Sequence, residues 1–378
     1  MKNFFLFFLF FVLAKAISAE QPAVESKYAL LYDYTANEII FAKGLNVRNA
    51  PSSMTKLMTA YIVFDRIKRG ELSLDDKFTV SVRAWRQEGS RMFLEPEWKV
   101  NVDELLKGLI AVSGNDAAVA IAEGISGTVE DFAALMNETA KKIGMSGTNF
   151  INSTGLNDPQ HYSTIRDLLI LTIAVMDSFP DFYEKYFSLR EYRFNNILQK
   201  NRNAMLTEYR GTDGVKTGNT SEGGFGLIAG VKRNRQRFIS VVNGAENEAA
   251  RLVDSKKLMD YGYGLYKYVD LAKKGEPVIK IGSIIDANGD GYLYANEDII
   301  YPIRNDRIND LKIVVTYDVT NYGKVRKGER IAKLRFIEND RAEEYDLYAS
   351  EDVKGIGKIS QFLAYFRRNC RRIIKLKF

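Results

Sequence analysis

The hydrophobic period switches along this chain, and the order of the switches restricts the fold more than any other property. Apolar residues alternate at Ala29-Leu30-Leu31-Tyr32 and Ile39-Ile40-Phe41, which predicts a β-hairpin. Helical spacing then takes over through Leu105 to Val112, Val129 to Ile143 ending at Gly144, and Ile165 to Met176. Thr128 with Asp131 and Thr164 with Asp167 are candidate caps for the last two helices. Strand patterns return at Gly224 to Val231 and Phe238 to Val242, turned at Asn234, and a helix from Glu246 to about Leu265 follows. First and last strands in one antiparallel sheet, with a helical cluster inserted between them and the last helix covering the sheet, is the α+β arrangement that fits this order.

After Lys273-Lys274-Gly275-Glu276-Pro277 the pattern becomes short alternating runs, such as Val278 to Ile281, Leu311 to Tyr317 and Ile331 to Ile337. These predict a small all-β sandwich without a catalytic motif, suited to a stalk or a platform for protein partners. Asp286-x-Asn288-x-Asp290-Gly291 followed by Glu297 fits a calcium loop, but the flanks read as strands where an EF-hand needs helices, and Asn288-Gly289 is equally a hairpin turn. No metal is assigned.

Both ends carry their own signals. Lys2, an apolar run from Phe4 to Ala14 and small residues near Ala16 and Ala19 predict a secretory leader over 1–19. The net charge is +6, yet from Lys354 onward there are eight cations and no acid, which leaves −2 for everything before. The basic balance therefore belongs to the tail and gives no support for nucleic-acid binding by the body, so no nucleic-acid partner is expected. In the tail, Ile359, Phe362, Leu363, Phe366, Cys370, Ile373 and Ile374 recur at helical spacing while the arginines mostly fall elsewhere, predicting a helix that lies flat on an anionic membrane. The expected division is a leader over 1–19, an α+β domain over 25–272, a β-sandwich over 276–352 and a membrane-anchoring helix over 354–378. Cys370 is the single cysteine, so no internal disulfide can form.

Chemistry enters through three motifs, each present once: Ser53-x-x-Lys56, Ser113-Gly114-Asn115 and Lys216-Thr217-Gly218. One helical turn separates Ser53 from Lys56, so a hydroxyl and an amine share a face and can exchange a proton. Lys56 is a base only when uncharged, which burial and a second cation, Lys216, would favour. Lys216 is expected to open a strand, with Gly218 leaving room for a substrate backbone and Thr217 offering a hydroxyl. Ser113 and Asn115 would close the far side as a hydroxyl relay and an amide. The lone histidine, His161, lies beside the turn Asn157-Asp158-Pro159-Gln160 and reads as a loop or packing residue; no Gly-x-Ser-x-Gly elbow accompanies it, so a Ser-His-Asp triad is not expected.

With these motifs in the stretches Asn49 to Thr59, Ser113 to Ala117, Asp213 to Gly218 and Asp254 to Leu258, the chain resembles the penicillin-interacting serine acyltransferases, and among them the low-mass D-alanyl-D-alanine carboxypeptidases of S11 type. The resemblance implies a β-lactamase/transpeptidase-like catalytic fold and no cofactor. It implies a Ser53 acyl-enzyme formed on peptidoglycan stem peptides ending in D-Ala-D-Ala, and trapped by β-lactams. Lys56 would be the base; Ser113, Asn115, Lys216 and Thr217 would complete the site, and the amides of Ser53 and Asn219 would form the oxyanion hole. Asn219 stands where many relatives have histidine. Arg251 and Arg202 match family positions near the site and would suit the substrate carboxylate. The implied location is the periplasm, at the inner-membrane surface. A β-lactamase would need a Glu-x-x-x-Asn loop, and no glutamate occurs between Thr139 and Tyr183; a β-lactam sensor with little turnover is the alternative from another class.

Overall fold

The computed structural model describes residues 21–280, 291–307, 312–317, 324–338 and 341–354. The leader over 1–19, the anchoring helix from 355 onward and most of the calcium-type loop, including Asp286, Asn288 and Asp290, lie outside the described residues. The chain divides into two compact units at Tyr263/Gly264.

In the first unit, β1 (Tyr28–Asp33) and β2 (Glu38–Lys43) form the expected antiparallel hairpin. Three later strands, β7 (Thr212–Thr220), β8 (Gly224–Arg233) and β9 (Gln236–Ala245), complete an antiparallel sheet ordered β2-β1-β9-β8-β7. Asn234, at a φ of 53°, makes the tight turn between β8 and β9. β1 lies between β2 and β9, and Ala29, Leu30 and Leu31 are all fully buried. The strand is thus covered on both faces, which is why its apolar residues are consecutive.

Helix α9 (Glu248–Gly264) covers one face; Gly262 passes so close that a side chain there would strike Leu31 and Phe238. The inserted cluster holds α1 (Lys56–Lys68), α3 (Val102–Ala111), α4 (Asn115–Ser126), α5 (Val129–Lys142), α6 (Ile165–Ser178) and α7 (Pro180–Phe187). Short pieces α2 (Val82–Trp85) and α8 (Met205–Glu208) and the two-stranded ribbons β3/β4 (Lys77–Thr79, Lys99–Asn101) and β5/β6 (Glu191–Phe194, Ile197–Lys200) fill the connections. Thr128 and Thr164 cap α5 and α6 as expected, accepting from the amides of Asp131 and Asp167. Phe64 of α1 stacks on Phe182 at 4.9 Å and on Tyr186 at 5.8 Å, tying α1 to α7. α1 and α4 run through the middle of this core, so the polar residues at their N-termini stand on a rigid base.

From Tyr266 onward, the regular elements among the described residues of the second unit are strands. β11 (Pro277–Lys280), β12 (Tyr292–Tyr294), β14 (Lys312–Tyr317), β16 (Arg330–Glu338) and β17 (Arg341–Ala349) form a sheet ordered β11-β12-β17-β16-β14. β10 (Tyr266–Ala272) pairs with β13 (Ile299–Arg304), and β15 (Lys324–Val325) with β18 (Val353–Lys354). One core joins the sheets, with Tyr301 of β13 stacked on Phe336 of β16 at 4.7 Å.

Candidate active site

Ser53 sits in a one-turn 3-10 segment, Ser52–Thr55, that feeds directly into α1. Ser52 takes a φ of 52°, and its hydroxyl meets Thr220 Oγ1 at 2.7 Å, so the turn is fastened to the end of β7. Gly218 of β7 lies against the same turn: a side chain there would come within 3.0 Å of the Pro51 carbonyl. On the side where a Cβ would stand, the room that glycine leaves is taken up by the turn that carries Ser53. Lys216 lies in mid-strand and does not open β7, because the strand already begins at Thr212.

Lys56 is fully buried, and its Nζ has three neighbours: Ser53 Oγ at 2.9 Å, Asn115 Oδ1 at 2.7 Å and the Thr154 carbonyl at 2.6 Å. No carboxylate is among them. Burial therefore holds the ammonium form down, to a pKa of about 7, and the charge of Asp116 only partly offsets it. A neutral amine keeps two N–H bonds, which the Asn115 and Thr154 oxygens accept, and its lone pair is left facing the Ser53 hydroxyl. The cage thus accommodates the base form, and its dryness favours it.

Lys216, 2 % exposed, donates to Ser113 Oγ at 2.8 Å and to the Thr217 carbonyl at 3.1 Å. Burial first, and then the positive charges of Lys56, Arg251 and Arg202, push it well below the usual lysine range. Ser113 adopts a φ of 61° between α3 and α4, which aims its hydroxyl at Lys216. Asn115 is held from behind, its Nδ2 donating to the Glu88 carbonyl at 2.6 Å and its amide to Ser90. Asp116 takes the amides of Met92, Leu94 and Ala117, so the loop beside the cleft is anchored on one buried carboxylate. The wall over Lys56 is the loop Asn152 to Leu156, where Asn152 Oδ1 accepts from the Thr154 and Gly155 amides.

The structure therefore brings together Ser53, Lys56, Ser113, Asn115 and Lys216, with Thr217 and Gly218 beside them on β7 and Asn219 exposed at its end. Arg251 lies behind the strand: its Nη1 donates to the Gly218 carbonyl at 3.1 Å and the Gly226 carbonyl at 3.4 Å, and its Nη2 to Glu248 at 2.9 Å. Arg202 is exposed, and its charge acts on Lys216 and Arg251. Sequence reasoning missed Thr154, Glu88 and Ser90, which contribute backbone atoms that no side-chain motif reports. It also missed Asn203, whose Nδ2 donates to the Gly214 carbonyl at 2.9 Å and so fixes the entry to β7. Among the described residues, no group of three or more metal-ligating side chains occurs.

Residues 15–247 match the D-alanyl-D-alanine carboxypeptidase family, peptidase S11. The chain belongs to that family. Residues 266–355 match the C-terminal domain of penicillin-binding protein 5, so the S11 catalytic domain is followed by that family's sheet-rich domain. The D-alanyl-D-alanine carboxypeptidase DacF of Bacillus subtilis (strain 168) is 33% identical over 362 residues, spanning 94% of this chain and 92% of the relative. Among solved structures, penicillin-binding protein 5 from Haemophilus influenzae is similar at 32% identity and a TM-score of 0.66, covering 88% of this chain and 98% of that one. Penicillin-binding protein D2 from Listeria monocytogenes, in its ampicillin-bound form, is similar at 28% identity and a TM-score of 0.58, over 64% of this chain and 98% of that one.

Proposed function

We propose that Ser53 is the nucleophile of a serine D-alanyl-D-alanine carboxypeptidase that removes the terminal D-alanine from peptidoglycan stem peptides. The observation that carries this reading is the Lys56 cage, in which a buried amine faces Ser53 Oγ at 2.9 Å with its other two contacts made to oxygen acceptors. Lys56 takes the Ser53 proton as Oγ adds to the carbonyl between the two D-alanines. The amides of Ser53 and Asn219 receive the oxyanion. Collapse of the adduct breaks the C–N bond, and the leaving amine is protonated through Lys56 and Ser113. Water then adds to the acyl-enzyme, giving its proton back along the same route, and Ser53 is restored. Lys216 and Thr217 hold the carboxylate end of the substrate, with Arg202 supplying further positive charge. Arg251 supports the β7 edge through the Gly218 carbonyl. β-Lactams acylate the same serine, as suits a relative of a protein solved with ampicillin bound.

Work on the cell wall places the reaction outside the cytoplasm. The apolar run at 4–14 and the basic amphipathic tail support a periplasmic enzyme attached to the inner-membrane surface through residues 354–378. No helix among the described residues is long and apolar enough to cross a membrane. The sheet-rich domain serves as a stalk or partner platform. Protein lacking residues 1–19 and 354–378 is to be incubated with a peptide ending in D-Ala-D-Ala. Release of D-alanine that disappears in Ser53→Ala supports the assignment. Release that persists in Ser53→Ala refutes Ser53 as nucleophile, and penicillin labelling of Ser53 without release refutes the carboxypeptidase assignment in favour of a sensor.

A further inference from the structure

The one histidine of the chain is 4 % exposed and takes no part in the reaction described above. Its ring lies between the nucleophile turn and the loop that walls off Lys56. Nδ1 accepts the Ile151 amide at 3.2 Å, so Nδ1 carries the lone pair and Nε2 the proton. Nε2 then donates to Thr55 Oγ1 at 2.9 Å, and Thr55 is two residues after Ser53 and directly before Lys56. Burial keeps the imidazole neutral, down to a pKa of about 4. Phe150 meets its ring edge-on at 5.6 Å, fixing the ring's plane.

The contacts continue from there to the catalytic amine. Gly155, at a φ of 81°, packs so tightly on the nucleophile turn that a side chain would fall 1.8 Å from the Ser52 carbonyl and 2.9 Å from Thr55 Oγ1. The neighbouring Thr154 carbonyl is the 2.6 Å acceptor for Lys56. Thr59 Oγ1 donates to the Ser153 carbonyl at 3.1 Å, a second tie between α1 and this loop. Residues 162 and 163 form isolated bridges to Asn149 and Asn49, so His161 stands where three backbone segments meet.

We propose that His161 is a positioning residue for acyl transfer: its neutral imidazole clasps Thr55 to Ile151, and through them keeps the Thr154 carbonyl on Lys56 and water away from it. The proposal rests on Ser53 and Lys56 being the nucleophile and base. The two imidazole bonds are separable, because glutamine reproduces the Nε2 donor to Thr55 and asparagine the Nδ1 acceptor for Ile151.

The test is the rate of Ser53 acylation by a fluorescent penicillin between pH 5.5 and 9.5 in wild type, His161→Gln, His161→Asn and His161→Phe, with thermal unfolding of each. Asp116 and Lys216 face Lys56, and Asp158 faces His161; the variants leave all three in place. His161→Gln keeps the Thr55 bond and releases Ile151, and is expected to lose about fivefold, with a smaller upward movement of its acid limb than in His161→Phe. His161→Phe is expected to lose about thirtyfold at pH 7, because loop displacement of even 1 Å is costly. Its acid limb moves up by about half a pH unit or more, as water relieves the burial that depresses Lys56. An unmoved rate and limb in folded His161→Phe overturns the proposal, as does a loss that only tracks the unfolded fraction. If His161→Phe does not fold, His161→Asn and His161→Gln decide: raised limbs in both support the clasp, and an unmoved limb in either overturns it. Failure of wild type to label would instead strike the assignment of Ser53 and Lys56.

Discussion

Lys56→Arg separates a charged contact from a base. In the wild-type cage the Lys56 pKa falls from 10.5 to about 7, so the ammonium form is disfavoured by about 5 kcal/mol relative to water. Half of the molecules then hold a neutral amine at pH 7 and about a tenth at pH 6, whereas an unperturbed lysine would be neutral in about one molecule in 3000 at pH 7. Deprotonation activates the base, so the acylation rate rises with pH through about 7 and levels off above it. Arginine fills the same space but stays protonated, and it has no lone pair to offer Ser53. Loss of general-base assistance lowers the rate by about 10³ and removes the limb near pH 7. The assay is the second-order rate of penicillin labelling from pH 5.5 to 9.5. A wild-type rate that is flat from pH 6 to 8, or a Lys56→Arg enzyme that keeps the wild-type limb, would mean that another group takes the Ser53 proton.

Asn115→Ala removes one acceptor from Lys56 and the tie to Glu88, and the labelling rate should fall about 10²-fold, with thermal stability much less affected. Gly155→Ala places a methyl against the Ser52 carbonyl, so labelling at pH 7 should drop by at least about tenfold; a fully active variant would show that the loop can retreat without disturbing Ser53. Asp213→Ala strands Arg237, which it holds at 2.5 Å in a partly buried pair, and chemical denaturation should report a loss of about 2 kcal/mol. Phe64→Ala empties the centre of the α1–α7 aromatic stack and should cost about 4 kcal/mol in the same experiment.

The sequence disclosed the elements whose pattern is local. The hairpins at 28–43 and 224–245 and the threonine caps of α5 and α6 follow from side-chain periodicity and capping chemistry, and they stand where the residues put them. The Ser53 and Lys56 pair was legible because one helical turn separates the two, whereas the approach of Asn115 to Lys56 and of Lys216 to Ser113, across 59 and 103 positions, was expected from the three motifs in combination and from the family resemblance. What the sequence hid is carried by backbone atoms or by long-range contact. The Thr154 and Glu88 carbonyls have no residue signature, since any residue could supply them. Lys216 was read at a strand's start, whereas in the sheet Thr212 already pairs with Val231. His161 read as a packing residue because neither of its partners is near it in sequence.

The order β2-β1-β9-β8-β7 also sets a timetable for folding. β1 pairs Tyr28 with Asn243 and Asp33 with Phe238, so the strand at the head of the domain waits for more than 200 residues before its inner neighbour exists. Loop closure on that scale is slow, and it makes sheet assembly a late event. Until β9 docks, β7 is joined to the hairpin at 28–43 by no continuous sheet. Covalent capture of Ser53 by a penicillin is therefore also a clock, reporting during refolding when the two distant parts of the domain have closed on each other.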